Sequence, residues 1–301
     1  MLGKLRNYMT RSSIFLITVA LVAGMAGCFP SPQSVEIRTW HDLDAIRNDL
    51  SGHHRLMNNL NSTTDGYEEL ASDTANQGQG WQPIGTPANP FTGTFDGQGY
   101  EVRNLFINRP AERDVALFGA VAEIGAIKDI TVMSADVTGQ WYVGNLVGTH
   151  YGTVSNSHST GSVTGEGYIG GLVGGSGGIV RNSHSASSVT GDSHVGGLVG
   201  GNAGTVSNSY STGGVIGNSH VGSLVGWNDG TVSNSFWDSE TSGPGASAGG
   251  TGKTTAEMMD ITTFTAAAWN ITVVASGQTN TDYIWNIVNA MTYPFLSWQP
   301  V

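Results

Sequence analysis

The 301-residue sequence predicts an all-β fold, a right-handed parallel β-helix with about 26 residues in each coil. Two repeated phrases carry this prediction: a six-residue phrase that ends in Leu-Val-Gly, and a seven-residue phrase of the form Gly-x-Val-x-Asn-Ser followed by a residue with a ring. A fixed period of this length is typical of stacked-repeat architectures. The first phrase occupies 143–148, 169–174, 195–200 and 221–226, and the second occupies 152–158, 178–184, 204–210 and 230–236.

The repeats predict strands rather than helices, because they are rich in Gly, Val, Ser, Thr and Asn, which are poor helix formers. Each repeat contains three short runs of strand-forming residues, separated by breaks with Gly or Asn. In the third repeat these runs are 195–199, 205–211 and 214–216. Three strands and three corners form one coil of a β-solenoid, and each coil is expected to pair with the next at about 4.8 Å.

Residues that are 26 positions apart are expected to lie above one another and to form ladders through the stack. The columns of Leu146 and Val154 are predicted to be apolar ladders. The Gly column that contains Gly174 is predicted at corners with positive φ or at sites of close backbone approach. One Asn column is expected to point inward or to lie at a corner, with stacked amides that hydrogen-bond one another. This column consists of Asn156, Asn182, Asn208 and Asn234.

The repeated phrases resemble a known bacterial motif. Gly-Leu-Val-Gly at 171–174 and at 197–200, each followed by Gly-x-Val-x-Asn-Ser and a ring residue, resembles the GLUG repeat of bacterial surface proteins. The resemblance implies a β-helical stalk or repeat segment, as in large adhesins and in some immunoglobulin-cleaving metallopeptidases, where the repeats are not the catalytic part. Asn145 and Ser223 replace the first Gly of this motif, and both are expected to face solvent.

Residues 1–28 predict an export signal. A basic start precedes an apolar run from Ile14 to Ala23, and small residues then lead to Cys28. This end resembles a bacterial lipobox, which implies that Cys28 becomes the lipidated first residue of the mature protein. Cys28 is the sole cysteine, so an intramolecular disulfide is excluded. The alternative is an ordinary signal peptide with an incidental Cys. Phe29 stands where inner-membrane lipoproteins typically carry Asp, so for a Gram-negative host the resemblance favours the outer membrane.

The chain divides by composition into a signal, a tether, an N-terminal cap, two groups of coils and a C-terminal cap. The best helix candidate, Trp40 to Leu50, is expected to close the open end of the first coil. His53 and His54 are assigned to a loop rather than to a metal site. The predicted segments are a signal peptide at 1–27, a lipid-anchored tether at 28–39, an N-terminal cap at 40–80, irregular first coils at 81–140, four GLUG-type coils at 141–243, and a C-terminal loop and cap at 244–301.

Aromatic residues near the C-terminus are predicted to form a lid over the last coil. In chains that carry GLUG repeats, a Gly-Lys-Thr-Thr stretch followed by Trp-Asn and Tyr-Pro-Phe-Leu-x-Trp-Gln closes the array, and 252–255, 285–286 and 293–299 resemble it. A lid is the simplest role because aromatic side chains bury large areas. The alternative is a sugar-stacking platform, with ligand contacts from Trp269, Trp285 and Trp298.

Charge and motifs disfavour several function classes. The formal charge is −11, and removal of Lys4, Arg6 and Arg11 with the signal peptide leaves −14, which disfavours nucleic acid as a partner. No nucleophile elbow, zinc helix or calcium-repeat pattern occurs, so no catalytic, cofactor or metal site is predicted. Two columns hold rings throughout, which suits flat side chains better than metal ligands: His158, His184, Tyr210 and Phe236, and Tyr142, Tyr168, His194 and His220.

Three hypotheses for function follow from the sequence. The first is a surface-anchored, non-catalytic β-solenoid that serves adhesion or acts as a stiff spacer, with the membrane and a surface glycan or a host or matrix protein as partners. The second is a β-helix enzyme that acts on polysaccharide. The third is a carbohydrate-binding module that uses exposed aromatic residues. A flat Ser/Thr-rich surface favours the first, a charged groove the second, and an exposed aromatic row the third.

Overall fold

The computed structural model describes residues 34–299, which fold as a parallel β-solenoid of about five turns with about 26 residues in each turn. The predicted fold class is confirmed. The predicted signal peptide and Cys28 lie outside the described residues. Within residues 34–299, no helix has the length and apolar character that crossing a bilayer requires.

Three sheets run along the solenoid, and a small fourth sheet forms near the C-terminus. Sheet A consists of Val35–Ile37, His53–Leu56, Thr94–Asp96, Ala126–Lys128, Thr153–Ser155, Ile179–Arg181, Thr205–Ser207 and Thr231–Ser233. Sheet B consists of Glu101–Arg103, Phe106–Asn108, Arg113–Val115, Thr131–Thr138, Trp141–Val143, His158–Gly170, His184–Ser185, Ser188–Gly196, Tyr210–Ser211, Val215–Ile216, Ser219–Gly222, Phe236–Asp238 and Thr251–Lys253. Sheet C consists of Phe118–Val121, Val147–His150, Val173–Ser176, Val199–Asn202 and Val225–Asn228, and sheet D of Ile271–Val273, Trp285–Ile287 and Phe295–Leu296.

The regular coils stack in the predicted register. Val154 pairs with Val180, Val180 with Val206, and Val206 with Val232, in parallel ladders of sheet A. Val154, Val180 and Val206 are fully buried, as is every Leu of the Leu146 column. These ladders therefore form the interior of the solenoid, where each apolar side chain contacts its counterparts in the coils on either side.

The Gly174 column marks close backbone approach rather than corners. Gly174 and Gly200 lie in strands of sheet C without positive φ. A Cβ atom at Gly174 would lie 2.5 Å from the carbonyl carbon of Tyr142, and one at Gly200 would lie 2.5 Å from the amide nitrogen of Ile169. Only glycine fits here, because a side chain would collide with the backbone at the corner of the coil before it.

The Asn column lies at corners, and its amides do not form the expected ladder. Its four residues have φ between 48° and 51°, the left-handed region that Asn tolerates better than most residues. The Asn156 amide group donates to Asp129 Oδ1 at 2.9 Å rather than to another Asn. The backbone N–H of Asn156 donates to Arg181 O in the next coil at 3.1 Å. The column therefore turns the chain while keeping the coils hydrogen-bonded.

The buried polar ladder is instead built by Ser, one position after each Asn. The backbone N–H groups of Ser157, Ser183 and Ser209 donate to the hydroxyl of the Ser in the next coil at 3.2, 3.1 and 3.2 Å, ending at Ser235. Each of these hydroxyls donates to the carbonyl two residues before it, at 2.8–2.9 Å. The turn at Asn directs Ser inward, so Ser satisfies the polar groups that the turn buries.

Asn145 and Ser223 do not face solvent, and the prediction for these two positions is wrong. Both side chains are fully buried. The Asn145 amide donates to Ser187 Oγ at 2.9 Å, and the Ser223 hydroxyl donates to Pro244 O at 2.6 Å. These positions lie inside the coil, where hydrogen bonding to another part of the chain makes a polar side chain acceptable.

The N-terminal cap combines a helix with strands of the solenoid. Helix Trp40–Ala45 begins with a capping box between Thr39 and Asp42, and Trp40 and Leu43 are fully buried over the first coil. His53 and His54 begin strand His53–Leu56 of sheet A, so the loop assignment for them is wrong. A one-turn 3-10 helix, Ile46–Asn48, continues the first helix. The remaining helices are Tyr67–Leu70, Thr255–Met258 and Ile261–Thr265, whereas Ala75–Gly78 is a turn in which Asn76 and Gln77 have positive φ.

The last coil is closed by the Gly/Ala/Ser-rich loop at 243–252. The backbone N–H of Ser223 donates to Ala246 O at 3.0 Å, which holds the loop across the end of the coil. A Cβ atom at Gly249 would lie 2.7 Å from Val232 Cγ2, and one at Gly250 would lie 2.6 Å from Leu224 Cδ2. The loop can therefore lie directly on the last apolar side chains because it lacks bulk.

Replacement of Gly200 by Ala tests the close approach between coils. The added methyl group has backbone atoms 2.5 Å away, so we expect the free energy of unfolding to fall by about 2 kcal/mol or more. Gly245→Ala is the matched control, because its Cβ atom would meet nothing within 4 Å, and a change within about 0.5 kcal/mol is expected. Urea denaturation measures both, and equal effects would contradict the packing described for the Gly column.

Candidate binding groove

One flank of the solenoid carries a column of corner residues in the left-handed region. Asp114, Tyr142, Tyr168, His194 and His220 have φ values of 57°, 57°, 58°, 55° and 51°. Such values are uncommon for residues other than Gly, Asn and Asp. These corners precede the strands of sheet C, and their repetition points the four rings in one direction.

The four rings form a continuous stack, the aromatic ladder (Tyr142, Tyr168, His194 and His220). Successive ring centroids are 4.8, 4.3 and 4.7 Å apart, with interplanar angles of 19°, 9° and 2°. These separations are close to the spacing of about 4.8 Å between paired strands, so the coils themselves impose the stacking. Ring faces cover one another along the axis, and ring edges with their hydroxyl groups or nitrogens point sideways.

Glycine on the outer face of sheet C makes room for the aromatic ladder. A Cβ atom at Gly175 would lie 2.8 Å from Tyr142 Cδ1, and one at Gly201 would lie 2.6 Å from Tyr168 Cδ1. Trp227 follows Gly201 in the same column of the sheet. Its ring stands at 89° to Tyr168 and at 82° to His194, with centroids 6.5 and 6.1 Å away. The outer face of sheet C therefore carries no side chain at Gly175 and Gly201, which form the Gly floor. In the next coil, the Trp227 ring projects from the same column.

The Tyr142 and Tyr168 rings of the aromatic ladder and this floor bound a groove of about 1070 Å³. Tyr142 and Tyr168 line one wall, and the opposite wall includes Tyr151, whose side chain is 63% exposed. Tyr151 lies over Gly177, where a Cβ atom would be 2.6 Å from Tyr151 Cδ1. Trp227 also lines the groove. Aromatic side chains therefore occupy both walls and one end.

Charged groups at the N-terminal end of the groove are held by neighbouring side chains. The Arg113 guanidinium lies over the rings of Trp141 and Tyr142, at 5.9 and 5.4 Å from their centroids. Asp114 Oδ1 accepts a hydrogen bond from Thr149 Oγ1 at 2.5 Å. Burial raises the pKa of the Asp114 carboxyl above its ordinary value, against the opposing effects of Thr149 and Arg113.

The second ring column is covered rather than open. The centroids of His158 and His184 are 3.9 Å apart, and those of His184 and Tyr210 are 4.7 Å apart. Burial lowers the pKa of His158 to about 4. Burial, followed by the charge of His158, holds the pKa of His184 well below its ordinary value of 6.5. Because neutral rings are favoured, this column suits the apolar cover that the C-terminal segment provides.

The C-terminal aromatic residues pack against this second column along the flank of the solenoid, and of the predicted lid only Trp269 contacts the last coil, at Asn234 and Phe236. Trp285 is fully buried, with its ring 5.6 Å from His184 and 5.8 Å from Tyr210. Trp269 is 5% exposed and donates from Nε1 to Asn234 O at 2.8 Å. Buried rings cannot form the alternative platform, which requires exposed faces.

The covering segment then runs back along the flank towards the first coils. A Cβ atom at Gly99 would lie 3.2 Å from the Trp298 ring, and Trp298 is half-buried there. Gln299 Nε2 lies 2.8 Å from His158 Nδ1. Tyr293 donates from its hydroxyl to Asp238 Oδ2 at 2.6 Å. Trp298 is therefore also a packing residue of the flank.

The remaining predicted site residues lie either at corners of the coils or outside the described residues. Asn156, Asn182, Asn208 and Asn234 lie at the corners described above, and Cys28 lies outside the described residues. The sequence identifies the aromatic ladder as a column of flat rings, but it does not reveal the groove beside that column. One signal was available: Trp227 stands in the column that holds Gly175 and Gly201 in the two coils before it. Across residues 34–299, no three His, Cys, Asp or Glu side chains gather in a group able to hold a metal ion.

Comparisons with known proteins support the architecture. No protein-family profile matches the chain. The chain is 34% identical over 146 residues to halomucin of Haloquadratum walsbyi, which covers 48% of this chain and 2% of halomucin. It is 32% identical over 142 residues to a candidate Gly-rich membrane protein of Evansella cellulosilytica, which covers 46% of this chain and 15% of that protein. The chain thus matches only a small part of either relative.

A solved structure has the same fold over nearly the whole chain. The crystal structure of a candidate immunoglobulin A1 protease from Bacteroides ovatus superposes with a TM-score of 0.63 and covers 91% of this chain and 94% of that chain. The two sequences are 17% identical, so this likeness concerns the fold alone.

The buried His pair predicts an acid-sensitive flank. Their folded pKa values lie below the ordinary 6.5, so the stability that the neutral rings contribute is complete above that pH and is lost as the pH falls towards 4. From about pH 7 to about pH 4.5, we expect His158 alone to account for a loss of about 2 kcal/mol.

The double variant His158→Phe with His184→Phe keeps rings in the column, as Phe236 does in the last coil. It should lose at least about 2 kcal/mol less than the native chain over the same pH interval. Urea denaturation at both pH values measures this difference. His150, which is buried with a pKa of about 4, is unchanged in the variant, so part of the acid sensitivity should remain. Parallel pH profiles of the two chains would contradict the assignment.

Proposed function

We propose that this protein is an exported, non-catalytic β-solenoid, anchored at the cell surface through lipidated Cys28, whose function is adhesion. The observation that carries the proposal is the open groove of about 1070 Å³, built on a stacked scaffold and walled by aromatic side chains. Pockets of this size lined by aromatic residues are typical of binding sites. The name of the Evansella cellulosilytica relative agrees with a location at a membrane.

The chemistry of the groove favours binding over catalysis. Its carboxylates, Asp114 and Glu123, stand at opposite ends of strand Phe118–Val121. The Asp114 carboxylate is bound by Thr149, and the Arg113 cation lies on aromatic rings. Glycoside hydrolysis uses two carboxyl groups that flank one bond at about 5–9.5 Å. The resemblance of the repeats to GLUG repeats, which are not the catalytic part of the proteins that carry them, supports the same proposal.

A binding screen tests adhesion. The segment 29–301, which contains every described residue and lacks the lipid attachment site, is applied to arrays of surface glycans and extracellular-matrix proteins. We expect saturable binding to at least one component, and loss of binding after thermal unfolding, because the groove exists only when the coils are stacked. A folded chain that binds no component would instead favour the role of a stiff spacer.

Anchoring through Cys28 predicts a change of location on mutation. Cys28→Ser expressed in a Gram-negative host should remain uncleaved at the lipoprotein signal site and should incorporate no labelled palmitate, whereas the native chain should be labelled and should fractionate with the outer membrane. Ser31→Ala, three residues further on, is the control and should behave as the native chain. Equal labelling of native and Cys28→Ser chains would contradict anchoring at this residue.

A further inference from the structure

We propose that the groove binds an uncharged polysaccharide chain, lying along the solenoid axis with its sugar rings against Tyr151 and Trp227. This inference rests on the adhesive function proposed above and names its ligand class and contact residues. It assigns binding to a different part of the molecule from the C-terminal Trp residues, whose rings are engaged in packing.

The shape of the groove selects an extended polymer. Across sheet C its lining runs from Ala120 to Trp227, and successive strand pairings join these two residues through Thr149, Gly175 and Gly201. Four strand spacings of about 4.8 Å give a length of about 19 Å. Gly175 and Gly201 supply two of the five positions and raise no side chain from the sheet, so a ligand made of similar units in a row fits better than one compact molecule.

The lining supplies both kinds of contact that a sugar chain requires. A sugar ring has apolar C–H faces and a rim of hydroxyl groups. Tyr151 is 63% exposed, and Trp227 stands outside the ladder stack, so both rings present surface to the groove. Tyr142 and Tyr168 are held edge-on by stacking and direct their hydroxyl groups sideways. The groove therefore offers both apolar ring faces and hydrogen-bonding ring edges to a ligand.

The charge of the groove excludes polyanions. Asp114 and Glu123 line it, and its one cation, Arg113, is engaged with aromatic rings. Between residues 141 and 243, Arg181 is the only Lys or Arg, and it belongs to sheet A rather than to the groove. A sulfated or uronic-acid polymer would meet repulsion without compensating cations, so the ligand is uncharged.

The backbone of the floor disfavours an extended peptide. Recognition of a peptide as an added strand requires unpaired N–H and C=O groups at a sheet edge. Strand Val173–Ser176 pairs with Val147–His150 on one side and with Val199–Asn202 on the other, so the floor is the interior of a sheet. Side chains alone are left to contact the ligand, which suits a sugar chain better than a peptide backbone.

Affinity electrophoresis and calorimetry with the segment 29–301 test the inference. The probes are uncharged polysaccharides (β-glucan, xylan, mannan and galactan), the acidic polymers alginate and polygalacturonate, and a Pro-rich peptide. We expect binding to at least one uncharged polymer and none to the acidic polymers or the peptide. Stronger binding of an acidic polymer or of the peptide would overturn the inference.

Two groove variants locate the binding. Trp227→Gly restores the residue that the column has at Gly201, and Tyr151→Ala removes the most exposed ring of the groove. Each should weaken binding roughly tenfold or more, as loss of a central aromatic contact does at binding sites. Tyr283→Ala, at a residue that is 38% exposed outside the groove, is the control and should bind as the native chain. Unchanged urea midpoints confirm that the variants are folded.

The outcomes separate this inference from the function on which it rests. If the native chain binds a glycan or a matrix protein and the Trp227→Gly and Tyr151→Ala variants bind equally well, adhesion stands and the groove assignment fails. If binding to a matrix glycoprotein survives enzymatic removal of its glycans, the ligand class is wrong. If the folded native chain binds neither the array components nor the polysaccharides, both proposals fail.

Discussion

Parallel hydrogen bonding between coils is the constraint on which the other features of the structure depend. Because each coil pairs in register with the next, a residue can occupy a position only if it packs against its counterparts about 4.8 Å away. Val stacks on Val in the interior, and the backbone N–H of Ser157 donates a hydrogen bond to the hydroxyl of Ser183. Gly174 and its counterparts give adjacent coils the space to approach. A local feature of one coil thereby becomes a continuous ladder, which no single repeat could stabilise by itself.

The same constraint produces two ring columns with different environments. The column that begins at His158 is covered by the C-terminal segment, and its His rings are held neutral by burial. The aromatic ladder, by contrast, faces the groove, where Gly175 and Gly201 form the floor beside Tyr142 and Tyr168. Tyr168 and His194 each stack between two ladder rings, and Tyr142 and His220 each stack on one. A ligand would therefore meet a surface that is already ordered, which lowers the entropic cost of binding.

The period, the parallel strands and the apolar ladders could be predicted from the sequence, since they follow from spacing and residue type alone. Other features could not, because they depend on the direction that a side chain takes at a corner. Left-handed φ at Tyr142 and Tyr168 is unusual for such residues, and only the assembled coils enforce it. Asn145 is buried by a hydrogen bond to Ser187, 42 residues away. The groove depends on Tyr151 and Trp227, which belong to different coils, and nothing local indicates that they share a surface.

Distances between spin labels on equivalent residues of different coils test the stacking most directly. Ala126 and Thr231 are joined through Thr153, Ile179 and Thr205 by four successive strand pairings, and Thr153 and Thr231 by three. In a chain with Cys28→Ser, double Cys variants at these two pairs should give backbone separations of about 19 and about 14 Å, a difference of about one strand spacing. Equal separations, or broad distributions without the difference, would contradict coil-on-coil stacking and with it the groove.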